Sequence, residues 1–102
     1  MNELAKYIKE WRERKGFSTP SDIVGEEQAS AMLAKLMLVV TEVAEAAEAV
    51  RHNDRHNFEE EMADTIIRIL DIVGTCDIDI DSVVAHKMAV NERRPEKHGK
   101  VC

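Results

Sequence analysis

The stretch AMLAKLMLVVTEVAEAAEAV, residues 31–50, is apolar on almost every side of a helix, yet it carries Glu42, Glu45 and Glu48. Good helix formers fill it, and no glycine or proline interrupts it. At about 100° per residue, Met32, Leu33, Leu36, Met37, Leu38, Val39, Val40, Val43 and the alanines leave no broad polar face. A helix of that kind is predicted to be central, buried within its own bundle or against another subunit. A carboxylate on it loses water and needs a proton, a cation or a hydrogen-bond donor in exchange.

Working outward, the helical pattern runs unbroken from Glu26 to His52, and RHNDRHN (51–57) reads as a polar turn. A second strong helix is predicted over 58–74, with Asp54 or Asn57 as N-cap. It places Met62, Ile66, Ile69, Leu70 and Val73 on one side and Glu61, Asp64, Arg68 and Asp71 on the other. Upstream, Leu4, Tyr7, Ile8 and Trp11 mark an amphipathic helix over 3–15, and Gly16 is placed to end it. FSTPSDIVGEEQ is a connection rich in small and turn residues. Downstream of Gly74, Asp81 is placed to cap a last helix reaching about Arg94, before Pro95. No strand alternation and no internal repeat is visible. The expected fold is all-α, a helical bundle of four main helices in one domain, 1–102. Few large side chains are available to fill its core, so an oligomer is expected, a homodimer or a homotetramer built as a dimer of dimers.

Glu42 and Glu45 are three apart and share a helix face; Glu61 and Asp64 repeat that spacing on the next helix. If the two faces oppose each other in a hairpin, four carboxylates meet. Two unit charges about 4 Å apart repel by roughly 4 kcal/mol at an effective dielectric near 20, so such a cluster calls for cations. Oxygen-only ligands suit a hard divalent ion, Mg²⁺ or, as a substitute, Mn²⁺. The plainer alternative for the second helix is a solvated acidic face; the apolar surroundings of Glu42 and Glu45 argue against it for the first. A di-iron bundle would need glutamate three residues before histidine. The positions three before His52, His56, His86 and His98 hold Ala49, Asn53, Val83 and Pro95, which rules that out.

Bulk properties narrow the partners. The net charge of −6 disfavours the phosphate backbone of a nucleic acid duplex. An acidic protein that handles phosphates needs a metal between the negative partners. Cys76 and Cys102 have neither disulfide-framework density nor metal-ligand spacing, which fits a reducing cytoplasm. The charged opening MNELAKYIKEWRERKGF does not read as a signal peptide, and no uncharged run approaches the roughly 18 residues of a membrane span.

The residues EVAE (Glu42, Glu45) and EMAD (Glu61, Asp64), separated by a 15-residue spacer, resemble the pattern of the MazG-type, all-α nucleoside triphosphate pyrophosphohydrolases. Their surroundings, KLMLVVTEVAEAAEAVR and EEEMADTIIRILDI, resemble that family's two core helices. KMAVNERRPEKHGK resembles the ending of its small members, with Lys87, Asn91, Arg94, His98, Gly99 and Lys100 at matching places. The resemblance covers residues 33–100. Thr41 stands where many members carry another glutamate, which leaves the number of ions open. The resemblance implies Mg²⁺-dependent hydrolysis of (deoxy)nucleoside triphosphates to monophosphate and pyrophosphate, for house-cleaning or nucleotide-pool control. The narrower alternative it implies is phosphoribosyl-ATP pyrophosphohydrolysis. An alternative of another class is a non-catalytic helical interaction module.

On this reading Glu42, Glu45, Glu61 and Asp64 are the metal-binding and catalytic residues, with Glu60 a further candidate to orient water. Lys87, Asn91 and Arg94 form one helical stripe suited to phosphate and sugar, and His98 and Lys100 follow on the tail. The plainer role for these last-turn cations is to complement the helix dipole. Trp11 is a candidate to stack on the base, although a core role fits it as well. Lys35, on the Glu42 side of its helix, is placed to pair with a carboxylate or reach a phosphate. Arg68 falls beside Asp64 as a structural pair, and Asp71 extends the acidic face. Met32, Met37, Met62 and Met88 read as core.

Overall fold

A computed structural model describes residues 1–94. Its helices are α1 (Asn2–Arg14), α2 (Glu26–Arg51), α3 (Arg55–Thr75) and α4 (Ile80–Glu92), and no strand occurs among the described residues. Three of these helices stop in the same way. The chain turns into the left-handed region at Gly16 (φ 83°), Asn53 (φ 54°) and Asp77 (φ 54°) after α1, α2 and α3. The residue that follows donates its N–H back to a helix carbonyl: Phe17 to Arg12, Asp54 to Ala49 and Ile78 to Val73. This double-bonded ending satisfies carbonyls that would otherwise be left open.

The starts are less uniform. Asp54 caps α3 by accepting from the Asn57 N–H at 3.0 Å. Thus α3 begins at Arg55, three residues before its predicted start, and the turn contracts to His52–Asp54. Arg55 and His56 extend the helix without apolar residues because their partners are local, Glu59 and Glu60 one turn on. The last helix is capped by Asp79, not Asp81. Asp79 accepts from the Ser82 N–H and hydroxyl, and from the Asn2 side chain at 2.8 Å. Those bonds hold its carboxyl below the usual carboxylate range, the Asn2 bond first. The Asp81 N–H in turn donates to Asn2 Oδ1, so the beginnings of α1 and α4 are stitched together.

Packing places α3 at the centre, with α2 on one side and α1 on another. Ala5 and Ile8 of α1 meet Leu70 and Val73 of α3, with Ile80 against them. Asp71 is buried between the same helices. Its Oδ2 lies 2.9 Å from Arg12 Nε and accepts from the Thr19 hydroxyl at 2.6 Å, tying α1 and the following connection to α3. Asp71 therefore has a structural job away from the acidic face it was expected to extend. The expected central helix, α2, lies at the edge of the protomer. It buries Met32, Glu42, Ala46 and Ala49 against α3 and leaves Leu33, Leu36, Met37, Val40 and Val43 exposed. Likewise α3 buries Glu61 while Met62, Ile66 and Ile69 face outward. No residue of α4 is buried, and Val83, Val84 and Met88 stand exposed on it. No helix is long and apolar enough to cross a membrane among the described residues.

Gly74 permits the α1–α3 approach. A Cβ there would stand 2.6 Å from the Ala5 carbonyl oxygen, a backbone atom that cannot rotate away. Gly74→Ala is expected to push α1 off α3 and cost about 1–3 kcal/mol, read as a lower urea midpoint.

Candidate metal centre

The α2–α3 seam is built from small residues and carboxylates together. On α2 the seam holds Met32, Glu42, Ala46 and Ala49, in register with one another along one helical face. The alanines let α3 come close, and Glu42 is carried into the contact with them. On α3 Glu61, Thr65, Arg68 and Ile72 share the facing stripe, spaced by four, three and four. The Thr65 hydroxyl bonds back to the Glu61 carbonyl at 2.7 Å, leaving the Glu61 side chain free to point across.

Carboxylate oxygens of Glu42, Glu45 and Glu61 lie within 4.8 Å of one another. Glu42 and Glu61 are each about 8% exposed, whereas Glu45 is open to solvent. Arg68 Nε donates to Glu42 Oε1 at 2.9 Å. The two buried carboxyls divide the consequences of this crowding. Glu42, hydrogen-bonded to the Glu61 carboxyl and then to Arg68, is held below the usual range. Glu61 is pushed up to about 7, first by sharing a hydrogen bond with Glu42, then by burial, then by Glu45. At neutral pH the cluster is thus poised between a bound proton and a third negative charge. Glu61 Oε2 is buried with no hydrogen-bond partner. An orphaned carboxylate oxygen facing two other carboxylates, with oxygen donors only, fits a hard divalent cation.

Of the four predicted ligands, three converge. Asp64, one turn beyond Glu61, is exposed and outside the group, and Arg68 reaches across to Glu42 instead of pairing with it. Glu60 is exposed and pairs with His56. Lys35 lies two turns before Glu42, half-buried, with no ion pair among the described residues. Trp11 is exposed on α1 beside Arg12, which contacts Asp71. By helix rise Asp71 is roughly 15 Å along α3 from Glu61. Lys87, Asn91 and Arg94 are exposed on or just after α4, which has no extended contact with α2 or α3. His98 and Lys100 lie outside the described residues. What the sequence reading missed is the Glu42–Arg68 bond. Its only signal was that Arg68 falls two turns after Glu61, on the same stripe.

The raised Glu61 carboxyl has a consequence for stability without metal. Its ordinary value is 4.5, so between there and about 7 the folded protein holds a proton that the unfolded chain has released. The Glu61 contribution is complete below pH 4.5 and fades as pH rises through 7. In EDTA, Glu61→Gln is expected to flatten the fall in urea midpoint between about pH 5 and 8, and to exceed wild type at the upper end. Parallel curves for the two proteins would contradict this.

The family model described as the MazG nucleotide pyrophosphohydrolase domain matches residues 29–98. No curated protein and no solved structure matches the chain. The matched span takes in nearly all of α2, the whole of α3 and α4, and with them all three converging carboxylates. With well over half of its length matched, the chain belongs to the MazG nucleotide pyrophosphohydrolase domain family.

Proposed function

We propose that the chain hydrolyses nucleoside triphosphates, deoxynucleotides among them, to the monophosphate and pyrophosphate, using Mg²⁺ with Mn²⁺ as a substitute. The observation that carries this reading is the convergence of Glu42, Glu45 and Glu61 around a buried carboxylate oxygen with no partner. The family membership supplies the reaction class. Its biological use would be the removal of non-standard nucleotides or the control of dNTP pools in the cytoplasm.

Glu42, fixed by Arg68, and Glu61, once its proton has left, present buried oxygens that would hold the ion. Glu45 completes the set from the solvent side. Asp64 lies one turn from Glu61 and joins by a side-chain movement at the exposed end of the cluster. When bound, a divalent ion there offsets charge on the triphosphate oxygens and lowers the pKa of water. Water adds to the α-phosphorus, the bond to the bridging oxygen breaks, and pyrophosphate leaves. Glu45, the exposed member, is positioned to take the proton of an incoming water.

The phosphate-binding cations come from an oligomer on this reading. The apolar side chains left open on α2 and on the outer face of α3 need a cover, and α4 has its own exposed Val83, Val84 and Met88. A second copy that covers these faces would also bring its Lys87, Asn91 and Arg94 stripe, with the tail bearing His98 and Lys100, near the carboxylates. Trp11 and Lys35 remain candidates for the nucleotide within such an assembly.

Two outcomes are expected. Incubation with a panel of NTPs and dNTPs, plus phosphoribosyl-ATP, in Mg²⁺ yields pyrophosphate from at least one. Glu45→Gln lowers that rate by about a hundredfold or more with an unchanged circular dichroism spectrum. Absence of pyrophosphate from every nucleotide would favour a non-catalytic module. Sedimentation is expected to give a dimer or tetramer, and a folded 11.6 kDa monomer at micromolar concentration would remove the assembly.

A further inference from the structure

Arg68 is the cation hydrogen-bonded to the carboxylate cluster among the described residues, and it is bonded in an unusual way. An arginine that serves only to neutralise a carboxylate commonly grips both of its oxygens through two parallel N–H donors. Here Nε alone is engaged, at 2.9 Å from Glu42 Oε1, and neither Nη makes a hydrogen bond to another described residue. Exposure divides the pair in the same sense. The Glu42 side chain is 10% exposed and the Arg68 side chain 33%, so the guanidinium runs from the buried cluster to solvent. The outward edge keeps four N–H donors in a rigid plane, a shape that matches two oxygens of a phosphate.

Charge makes the same demand. Glu42, Glu45 and Glu61 form a negative site, and a triphosphate is a negative ligand. A permanent positive charge beside the cluster lessens that repulsion without needing a second bound ion, and the Thr41 side chain adds no further carboxylate. The helix that carries the α4 stripe has no extended contact with α2 or α3, whereas Arg68 is bonded to Glu42.

We propose that Arg68 is a substrate-contacting residue of this site: its Nε fixes Glu42, and its two Nη groups receive a pair of phosphate oxygens of the nucleotide. The assignment rests on the nucleotide reading above but is tested by binding, apart from turnover. The probes are a deoxynucleoside triphosphate with an α,β-methylene bridge, in Mg²⁺, by calorimetry, and Mn²⁺ alone by electron paramagnetic resonance. Arg68→Gln is expected to weaken the analogue by about tenfold or more, the loss of a charge-assisted contact. It leaves Mn²⁺ affinity equal or tighter, because a positive neighbour of the ligands is gone. Arg68→Lys, keeping the charge but not the fork, regains part of the analogue affinity. In turnover KM rises more than kcat falls. Unchanged analogue affinity in Arg68→Gln overturns the proposal. So does a joint loss of analogue affinity, Mn²⁺ affinity and thermal stability that Arg68→Lys does not relieve, which marks a purely structural pair. Wild-type protein that binds the analogue yet hydrolyses no nucleotide would end the enzymatic reading, and the ratio of analogue affinities would still judge Arg68.

Discussion

Three carboxylates forced together at the crossing of two helices govern this molecule. Alanines on α2 draw α3 close, and the closeness carries Glu42 and Glu61 out of water side by side, with Glu45 at the rim. Like charges so placed cannot all persist unaided. Arg68 answers for Glu42, and a proton answers for Glu61 near neutrality. Both are provisional partners, and the buried Glu61 oxygen that neither satisfies is the point at which a divalent cation would improve on them.

The remainder of the described fold serves to hold that crossing rigid. Asp54 closes the turn between the two helices with its cap. Further along, α1 clamps the distal half of α3 through Ala5 against Gly74, through Ile8 in the core cluster and through the buried Arg12–Asp71 contact. One end of α3 is thus held by the Asp54 cap and the α2 alanines, the other by the Ala5–Gly74 approach and the Arg12–Asp71 ion pair, and the cluster lies on the half that faces α2. The contacts at the α1 end set how α3 is turned about its axis, and that turn sets Glu61 against Glu42. The cost is a protomer whose apolar stripes on α2, α3 and α4 are left open.

The helices and the acidic spacing were legible because they are local facts. Uninterrupted helix formers, Asp54 before the second acidic helix and two acidic pairs three apart can each be read within a few residues. Errors arose where the answer depends on a neighbour. Arg55, His56 and Asn57 carry no apolar signal, so periodicity starts α3 three residues late, and Asp81 competes with Asp79 in the sequence because the Asn2 bond that favours Asp79 comes from the other end of the chain. Arg68 looked like a partner for Asp64, one turn away, but helix rotation aims it at Glu42, 26 positions earlier. The least legible point concerns α2, expected to be covered by its own bundle or by another subunit and found at the edge of the protomer. An apolar circumference says that a helix calls for cover, but not whether its own chain supplies it.

The most direct measurement is the anomalous difference map of a crystal equilibrated with Mn²⁺. The account predicts a peak bounded by carboxylate oxygens of Glu42, Glu45 and Glu61, the buried Glu61 Oε2 among its ligands. Those three side chains well ordered, turned apart and without a peak at millimolar Mn²⁺ would contradict it.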